Sequence, residues 1–335
     1  MLNSTQLFDK LAQVNVFIVG DVMIDRYWHG KVNRISPEAP VPVVELRNTE
    51  DRLGGAANVA LNIKAMGATP YLFSVIGSDT EGGDFLNLMT KNDLPTVGIV
   101  TSNKRVTTVK TRIMAGTQQM LRVDNEMTHD LDDTFRLEFL SKIKDFLEKQ
   151  NINVIIFQDY NKGVLSLNTI QDIMAEAVER NIPTAVDPKR HNFLSYKNAT
   201  LFKPNLKEIR DAVPFGIMPE LDSLQQATAF LNDTLANRYT MITLSSRGLF
   251  LDDSVIARNE TTEGSKIYPT QPRHIADVSG AGDSVISVAA LCLAIGLESD
   301  TIAQLSNLAG SQVCEVAGVV PVNREQLKHE WGKFC

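Results

Sequence analysis

Short apolar runs alternate with amphipathic stretches along most of the chain. Residues 14–20, 70–77, 153–157, 183–187 and 240–244 are nearly unbroken apolar segments. Segments of that length and character read as strands buried on both faces. Between them, residues 56–66, 131–150 and 167–180 carry apolar positions at helical spacing, the first closed by Gly67. Residues 285–297 are apolar almost throughout but fall short of the roughly 18 residues that span a bilayer. With Ser287 among them, they read as a buried helix. The alternation predicts an α/β fold, a parallel sheet covered by helices on both faces. Ligands of such sheets bind at the carboxyl ends of the strands.

Two segments depart from this rhythm. Residues 26–50 are rich in Pro, Val and polar residues, and residues 104–124 alternate polar and apolar, as in Thr107 to Ile113. Both read as antiparallel strands of a small extra sheet, serving as a lid or as a dimer contact. With no linker, repeat or low-complexity stretch, residues 1–335 are expected to form a single domain.

Composition narrows the function. Of 335 residues, 43% are hydrophobic and 22% are charged, and the net charge is −7. This is ordinary globular chemistry, and an acidic chain argues against general nucleic-acid binding. The N-terminal residues lack the basic-then-apolar pattern of a signal segment, so no membrane partner is expected. Cys292, Cys314 and Cys335 form no CxxC pair, and an odd, sparse count suits a reducing cytoplasm. The five histidines show no metal-ligand spacing.

The most informative stretch is Asp277-Val-Ser-Gly-Ala-Gly-Asp283, followed by an apolar helix. Its glycines let backbone N–H groups converge, and the helix start adds free donors and a positive dipole end. Such a turn can hold a phosphoryl group in transfer, while Asp283 accepts the proton of an attacking hydroxyl. Taken alone, the same turn reads more readily as a plain capped helix start with Asp283 as the capping residue. A second cluster, Gly54-Gly-Ala-Ala-Asn-Val-Ala60, lies early in the chain.

These two clusters, in this order and at this separation, resemble the two signatures of ribokinase-like (PfkB) carbohydrate kinases. The resemblance covers nearly the whole chain. It implies a ribokinase-like three-layer α/β/α sandwich with a small β-sheet lid over the sugar. Three further segments are similar to the kinase domain of ADP-heptose synthesis enzymes: Gly20-Asp-Val-Met-Ile-Asp-Arg-Tyr-Trp28, Arg34-Ile-Ser-Pro-Glu-Ala-Pro-Val-Pro-Val43 and Asp187-Pro-Lys189. Those kinases phosphorylate the anomeric hydroxyl of D-glycero-D-manno-heptose 7-phosphate. Many carry a second, nucleotidyltransferase domain. The sequence stops at Cys335 without one, the pattern expected of a stand-alone kinase.

By this resemblance, Asp283 is the base, and Gly280, Ala281 and Gly282 supply the anion hole. Asp25 would bind sugar hydroxyls, with Gly54, Gly55 and Asn58 lining the sugar pocket. Asn205-Leu-Lys-Glu208 resembles the family's Asn-x-x-Glu motif, which organises Mg²⁺, usually through water, so Glu208 is the expected Mg²⁺ residue. Ser245, Arg247 and Gly248 sit where the family holds ATP, although Ser-Ser-Arg-Gly is a looser match. Asn307 falls at the adenine-side position. Asp277 and Ser279 resemble positions that can bind a monovalent cation, K⁺ among them. Gln158-Asp-Tyr-Asn-Lys-Gly163 is similar to a Ser-Asp-Tyr-x-Lys-Gly segment of heptose kinases, with Gln in place of Ser. Lys162 and Lys189 are the leading cations for the substrate phosphate, ahead of Arg34, Lys110, Arg112, Arg122 and Arg190. The expected partners are a sugar phosphate, ATP and a second copy of the chain held through the lid.

Other sugar kinases, such as those for ribose or fructose 1-phosphate, are the nearest alternative, and the segment 34–43 argues against them. A nucleotide-dependent dehydrogenase fits poorly, because Gly20-Asp-Val lacks the GxGxxG expected after the first strand. A non-catalytic sugar or nucleotide sensor on the same scaffold would not need an intact Asp283 turn.

Overall fold

The computed structural model describes residues 3–257, 264–271 and 273–334. Cys335 lies outside them. In chain order the strands are β1 (Asn15–Gly20), β2 (Val22–Ile35), β3 (Pro42–Gly55), β4 (Thr69–Gly77), β5 (Ile99–Ser102), β6 (Val109–Ala115), β7 (Gln118–Asn125), β8 (Val154–Gln158), β9 (Thr184–Asp187), β10 (Leu201–Phe202), β11 (Tyr239–Thr243), β12 (Leu249–Asp253) and β13 (Ser265–Tyr268).

Nine of these strands form the main sheet in the order β13-β12-β11-β10-β9-β8-β1-β4-β5. From β11 to β5 every pairing is parallel, whereas β12 and β13 add antiparallel at one edge. The side-chain period of two sends successive residues to opposite faces. Val16 and Ile18 join one core while Phe17 and Val19 join the other, and β8 repeats this with Val154 and Ile156 against Ile155 and Phe157. One core is capped by helices Ser4–Leu11, Ala56–Ala65, Thr80–Lys91, Ala281–Ala294, Ser299–Val313 and Arg324–Phe334. The other is capped by Asp133–Lys149, Leu167–Glu179, Leu206–Ala212 and Leu221–Leu235. The result is three layers, helix, sheet, helix.

The remaining four strands form a separate sheet in the order β3-β2-β6-β7. Its hairpin of two 14-residue strands, β2 and β3, runs from the end of β1 to the start of helix Ala56–Ala65. The pairing differs from the all-antiparallel expectation: β6 lies parallel to β2. A parallel neighbour needs a long crossover, and residues 56–108, with β4 and β5 of the main sheet, supply it. No such link can be read from local alternation. Residues 104–108 precede the strand rather than belong to it.

The apolar segment after Asp283 is a buried helix, Ala281–Ala294, in which every residue from Asp283 to Cys292 is buried. Among the described residues, no helix is long and apolar enough to cross a membrane.

Candidate active site

Because β1, β8, β9, β10 and β11 run parallel, their carboxyl ends meet on one edge of the sheet. Helix Ala281–Ala294 starts with Gly280 at φ +81°, a left-handed conformation that a side chain would strain. The first N–H groups of an α-helix have no intrahelical acceptor, so this turn presents donors. Gly282 faces β9 and β10: a Cβ on it would come within 3.6 Å of Lys203 Nζ and 3.9 Å of Asp187 Oδ2.

Asp283 is buried, and three neutral groups donate to it. Asn58 Nδ2 is 2.7 Å from Oδ2. Gln158 Nε2 and the Tyr160 hydroxyl reach Oδ1 at 3.0 and 2.9 Å. Burial is the main force on its acidity and pushes the carboxyl up to about 6, with nearby Asp187 adding to the rise. The hydrogen bonds from Asn58 and Tyr160 and the charge of Lys203 hold it back. A carboxylate near neutrality is ionised at physiological pH yet basic enough to take a proton.

Two buried ions complete the floor. Lys203, 3% exposed, pairs with Asp187 at 3.0 Å, and Gln158 Nε2 also reaches Asp187 Oδ2 at 3.2 Å. Lys189 contacts Glu208 and lies 5.5 Å from the centre of the Tyr160 ring. Burial works against the Lys189 charge, but Asp187, Glu208 and Asp283 outweigh it and keep the ammonium above its usual pKa.

Asn205 caps helix Leu206–Ala212 in a reciprocal box: its Oδ1 accepts from Glu208 N, and Glu208 Oε2 accepts from Asn205 N, both at 2.8 Å. The second Glu208 oxygen faces Lys189. Among the described residues, no group of three or more His, Cys, Asp or Glu is arranged to hold a metal. A single oriented carboxylate fits a divalent ion bound mainly by phosphates and water rather than by a protein cage.

Asp25 lies on β2, at the root of the small sheet, and is 4% exposed. Arg112 Nη1 donates to its Oδ1 at 2.5 Å. Gly54, near the end of β3, packs directly on it: an added Cβ would fall 2.2 Å from Asp25 Oδ2. Strand register sets Asp25, Lys110 and Asp124 in one row and Tyr27, Arg112 and Arg122 in the next. The Tyr27 ring has Arg52 and Arg112 at 5.1 and 5.2 Å. This face of the small sheet is therefore strongly charged. Gly55 then caps helix Ala56–Ala65, which carries Asn58 to Asp283. Lys162 pairs with Glu126, which also pairs with Lys110, beside the same face.

Asp277 closes the loop before the Gly280–Gly282 turn. Its two oxygens accept from Ser279 N and Gly318 N, each at 2.9 Å. Burial works to raise its carboxyl, but these backbone bonds outweigh it and hold the group below the usual range. A firmly anionic loop of this kind suits a cation.

The residues expected on the nucleotide side sit further along the same sheet edge. Ser245 and Arg247 form an exposed turn after β11, while Gly248 is buried against Tyr268. Asn307 Nδ2 donates to the Tyr268 and Pro269 carbonyls at 3.1 and 3.0 Å. Both of its amide hydrogens therefore serve the end of β13.

Several groups here were given no role by the sequence reading. Gln158, Tyr160, Asp187 and Lys203 converge near Asp283 from three strand ends; the first three lie in segments noted for their resemblance but received no role of their own, and nothing local marks Lys203. Asp21, 1% exposed, accepts from Tyr160 N, Lys162 N and Val164 N at 2.9 to 3.1 Å. It shapes the loop after β8. In the sequence it shows only as a carboxylate directly after a buried strand, inside the resembling segment Gly20–Trp28.

Comparison with known proteins gives a consistent picture. Residues 13–325 match the profile described as pfkB family carbohydrate kinase. The chain is 35% identical over 316 residues to the bifunctional protein HldE of Campylobacter curvus, covering 94% of this chain and 64% of that protein. It is 38% identical over 315 residues to HldE of Campylobacter jejuni subsp. doylei, covering 93% of this chain and again 64% of the relative. The chain thus spans somewhat less than two thirds of the length of these relatives. Among solved structures, Escherichia coli phosphofructokinase-2 in complex with potassium superposes with a TM-score of 0.77 at 16% identity, covering 96% of this chain and 98% of that one. At that identity the likeness speaks for the fold alone.

Proposed function

The chain belongs to the pfkB family of carbohydrate kinases, and on that premise we propose that it phosphorylates the anomeric hydroxyl of D-glycero-D-manno-heptose 7-phosphate. ATP is the donor and the 1,7-bisphosphate is the product, a step toward ADP-heptose and the lipopolysaccharide core. The observation that carries the chemistry is Asp283, a buried carboxylate near neutrality at a glycine-lined helix start. Relatives named as bifunctional HldE proteins support the choice of substrate.

In this reading Asp283 takes the proton from the sugar O1 as that oxygen attacks the γ-phosphorus in line. The bond from γ-phosphorus to the bridging oxygen breaks and ADP departs. Backbone N–H groups of the Gly280–Gly282 turn, with Lys203 behind them, oppose the charge on the transferring group. Asp25 orients the sugar hydroxyls. The charged face bearing Lys110, Arg112 and Arg52, with Lys162 at its edge, receives the distant phosphate. Arginine forks suit this task because they meet phosphate oxygens two at a time. Mg²⁺, when bound with ATP, would neutralise phosphate charge, with Asn205 and Glu208 orienting its waters. Asp277 and Ser279 would hold K⁺. Ser245, Arg247, Gly248 and Asn307 border the nucleotide. Dependence on ATP sets the reaction in the cytoplasm.

We also propose that two copies pair through the small sheet. Its face opposite Asp25 carries Trp28, Ile113 and Leu121 in one row, and Trp28, Leu121 and nearby Val123 are exposed. An apolar face of this kind is a protein contact surface.

The deciding experiment offers the protein MgATP with heptose 7-phosphate, unphosphorylated heptose, fructose 1-phosphate and ribose. ADP release gives the rate, and phosphorus NMR locates the new phosphate. Heptose 7-phosphate should be preferred and should acquire an anomeric phosphate. Turnover confined to unphosphorylated sugars, or a phosphate on another carbon, would overturn the assignment.

A further inference from the structure

We propose that Tyr160 is a positioning residue for the base: its hydroxyl fixes the Asp283 carboxylate while its ring carries Lys189 beside Glu208. This rests on Asp283 being the base of the reaction proposed above.

Tyr160 follows β8 in the loop that Asp21 holds through the Tyr160, Lys162 and Val164 N–H groups. The backbone of residue 160 is thus anchored independently of its side chain. From that anchor the hydroxyl reaches Asp283 Oδ1 at 2.9 Å, and the ring lies 5.5 Å from Lys189 Nζ. Lys189 in turn contacts Glu208, whose other oxygen is fixed by Asn205 N. One side chain therefore joins the proton-accepting group to the pair on the phosphate side. Burial, with Asp283 and Asp187 nearby, drives the phenol well above its ordinary pKa, so it stays a neutral donor.

The charged and titratable groups facing Asp283 are few. Asp187 ends β9, Lys189 follows it, Lys203 follows β10, and Tyr160 follows β8. Helix Ala56–Ala65 contributes the neutral Asn58, and β8 contributes the neutral Gln158. Of the donors on Oδ1, Gln158 also serves Asp187, whereas the Tyr160 hydroxyl is directed to Asp283. A donor to a carboxylate favours its ionised form. Removing the hydroxyl should make Asp283 harder to ionise without altering any net charge.

Two variants separate the two tasks. Tyr160→Phe keeps the ring and deletes the hydroxyl, whereas Tyr160→Leu deletes both. For Tyr160→Phe, the acid limb of kcat/KM against pH should move upward by about one pH unit. Activity near pH 6 should fall about fivefold, activity near pH 9 should change little, and KM for MgATP should hold. For Tyr160→Leu, the limb should move in the same direction and KM for MgATP should rise as well. A purely structural tyrosine would lower activity equally at every pH, and that result, or an unmoved limb in Tyr160→Phe, would overturn the proposal.

A second readout needs no turnover. The melting-temperature difference between a protein and its Asp283→Asn form, followed against pH, tracks ionisation of Asp283 by linkage. That curve should level off about one pH unit higher in the Tyr160→Phe background. Coincident curves would refute the role even if the sugar substrate proved different. If instead Asp283→Asn kept its turnover, the base assignment would fail, whatever Tyr160 does.

Discussion

Asn58 and Asp283 lie 225 positions apart in the chain, yet the Asn58 amide donates a 2.7 Å hydrogen bond to the Asp283 carboxylate. Both residues are buried, so the contact is a bolt between two helices as well as a part of the site. One turn further along, Asn62 Oδ1 accepts from the Ser284 hydroxyl at 2.9 Å, and Asn62 Nδ2 returns to the Asn58 carbonyl. Helix spacing of four residues puts Asn58 and Asn62 on one face. The early and late glycine clusters therefore meet through polar side chains in a dry setting, where satisfied networks fix one geometry.

Asp283→Asn should remove about three orders of magnitude in kcat, within the range for loss of a general base. Stability should behave differently. Because burial raises the carboxyl from 3.8 to about 6, the folded protein holds a proton between those values that the unfolded chain has lost. The stability from this group is full below about pH 4 and declines as pH rises through about 6. Asparagine cannot ionise, so the variant should match the wild type at pH 4 and melt no lower, or slightly higher, at pH 8. Calorimetry at the two pH values is the check, and a clear drop in melting temperature at pH 8 would mean that the donors to Asp283 outweigh its burial.

Gly54→Ala tests the sugar side. Its Cβ would fall 2.2 Å from Asp25 Oδ2, so the carboxylate or the strand must move. A displacement near 1 Å in a positioned group can cost about a hundredfold. The expected outcome is a large rise in KM for the sugar phosphate with KM for MgATP unchanged. Steady-state kinetics with each substrate varied in turn separates the two. Equal effects on both constants would place Gly54 away from the sugar.

Asn205→Ala should act on the nucleotide side. It removes the side-chain half of the cap on helix Leu206–Ala212, costing about 1 kcal/mol. Glu208 loses one of the partners that orient it. KM for MgATP should rise about fivefold or more while KM for the sugar phosphate holds. A variant with lower melting temperature but unaltered nucleotide affinity would reduce Asn205 to a helix cap.

What the sequence revealed follows a physical divide. Residues 14–20, 153–157 and 183–187 read as buried strands because continuous apolar runs have no other soluble use, and the structure sets them side by side as β1, β8 and β9. Asp283 and the Gly280–Gly282 turn stood out because glycines before a helix leave a local trace. Lys203 left none, and Tyr160 and Asp21 stood inside resembling segments with nothing to say what they do. Each acts through a partner at least 16 positions away, and a lone Tyr, Lys or Asp looks the same in a loop as in a site. The parallel pairing of β2 with β6 was hidden for the same reason, since strand direction depends on the path between strands and not on their alternation. At the far edge, β12 and β13 escaped notice as short antiparallel additions.

The small sheet supplies a last prediction. Register puts Trp28, Ile113 and Leu121 opposite the charged row that holds Asp25. Leu121 and Val123 are 56% and 49% exposed, on β7 at the edge of that sheet. A second copy laid on this face would bury both residues without touching Asp25. Leu121→Glu combined with Val123→Glu should therefore convert a dimer to a monomer, because unpaired like charges in an apolar contact are costly. The fold of the main sheet should hold, since neither side chain belongs to its two cores. Sedimentation velocity on wild type and variant provides the measurement. A wild type that sediments as a monomer at micromolar concentration, or a variant that stays dimeric, would remove the small sheet as the contact between subunits.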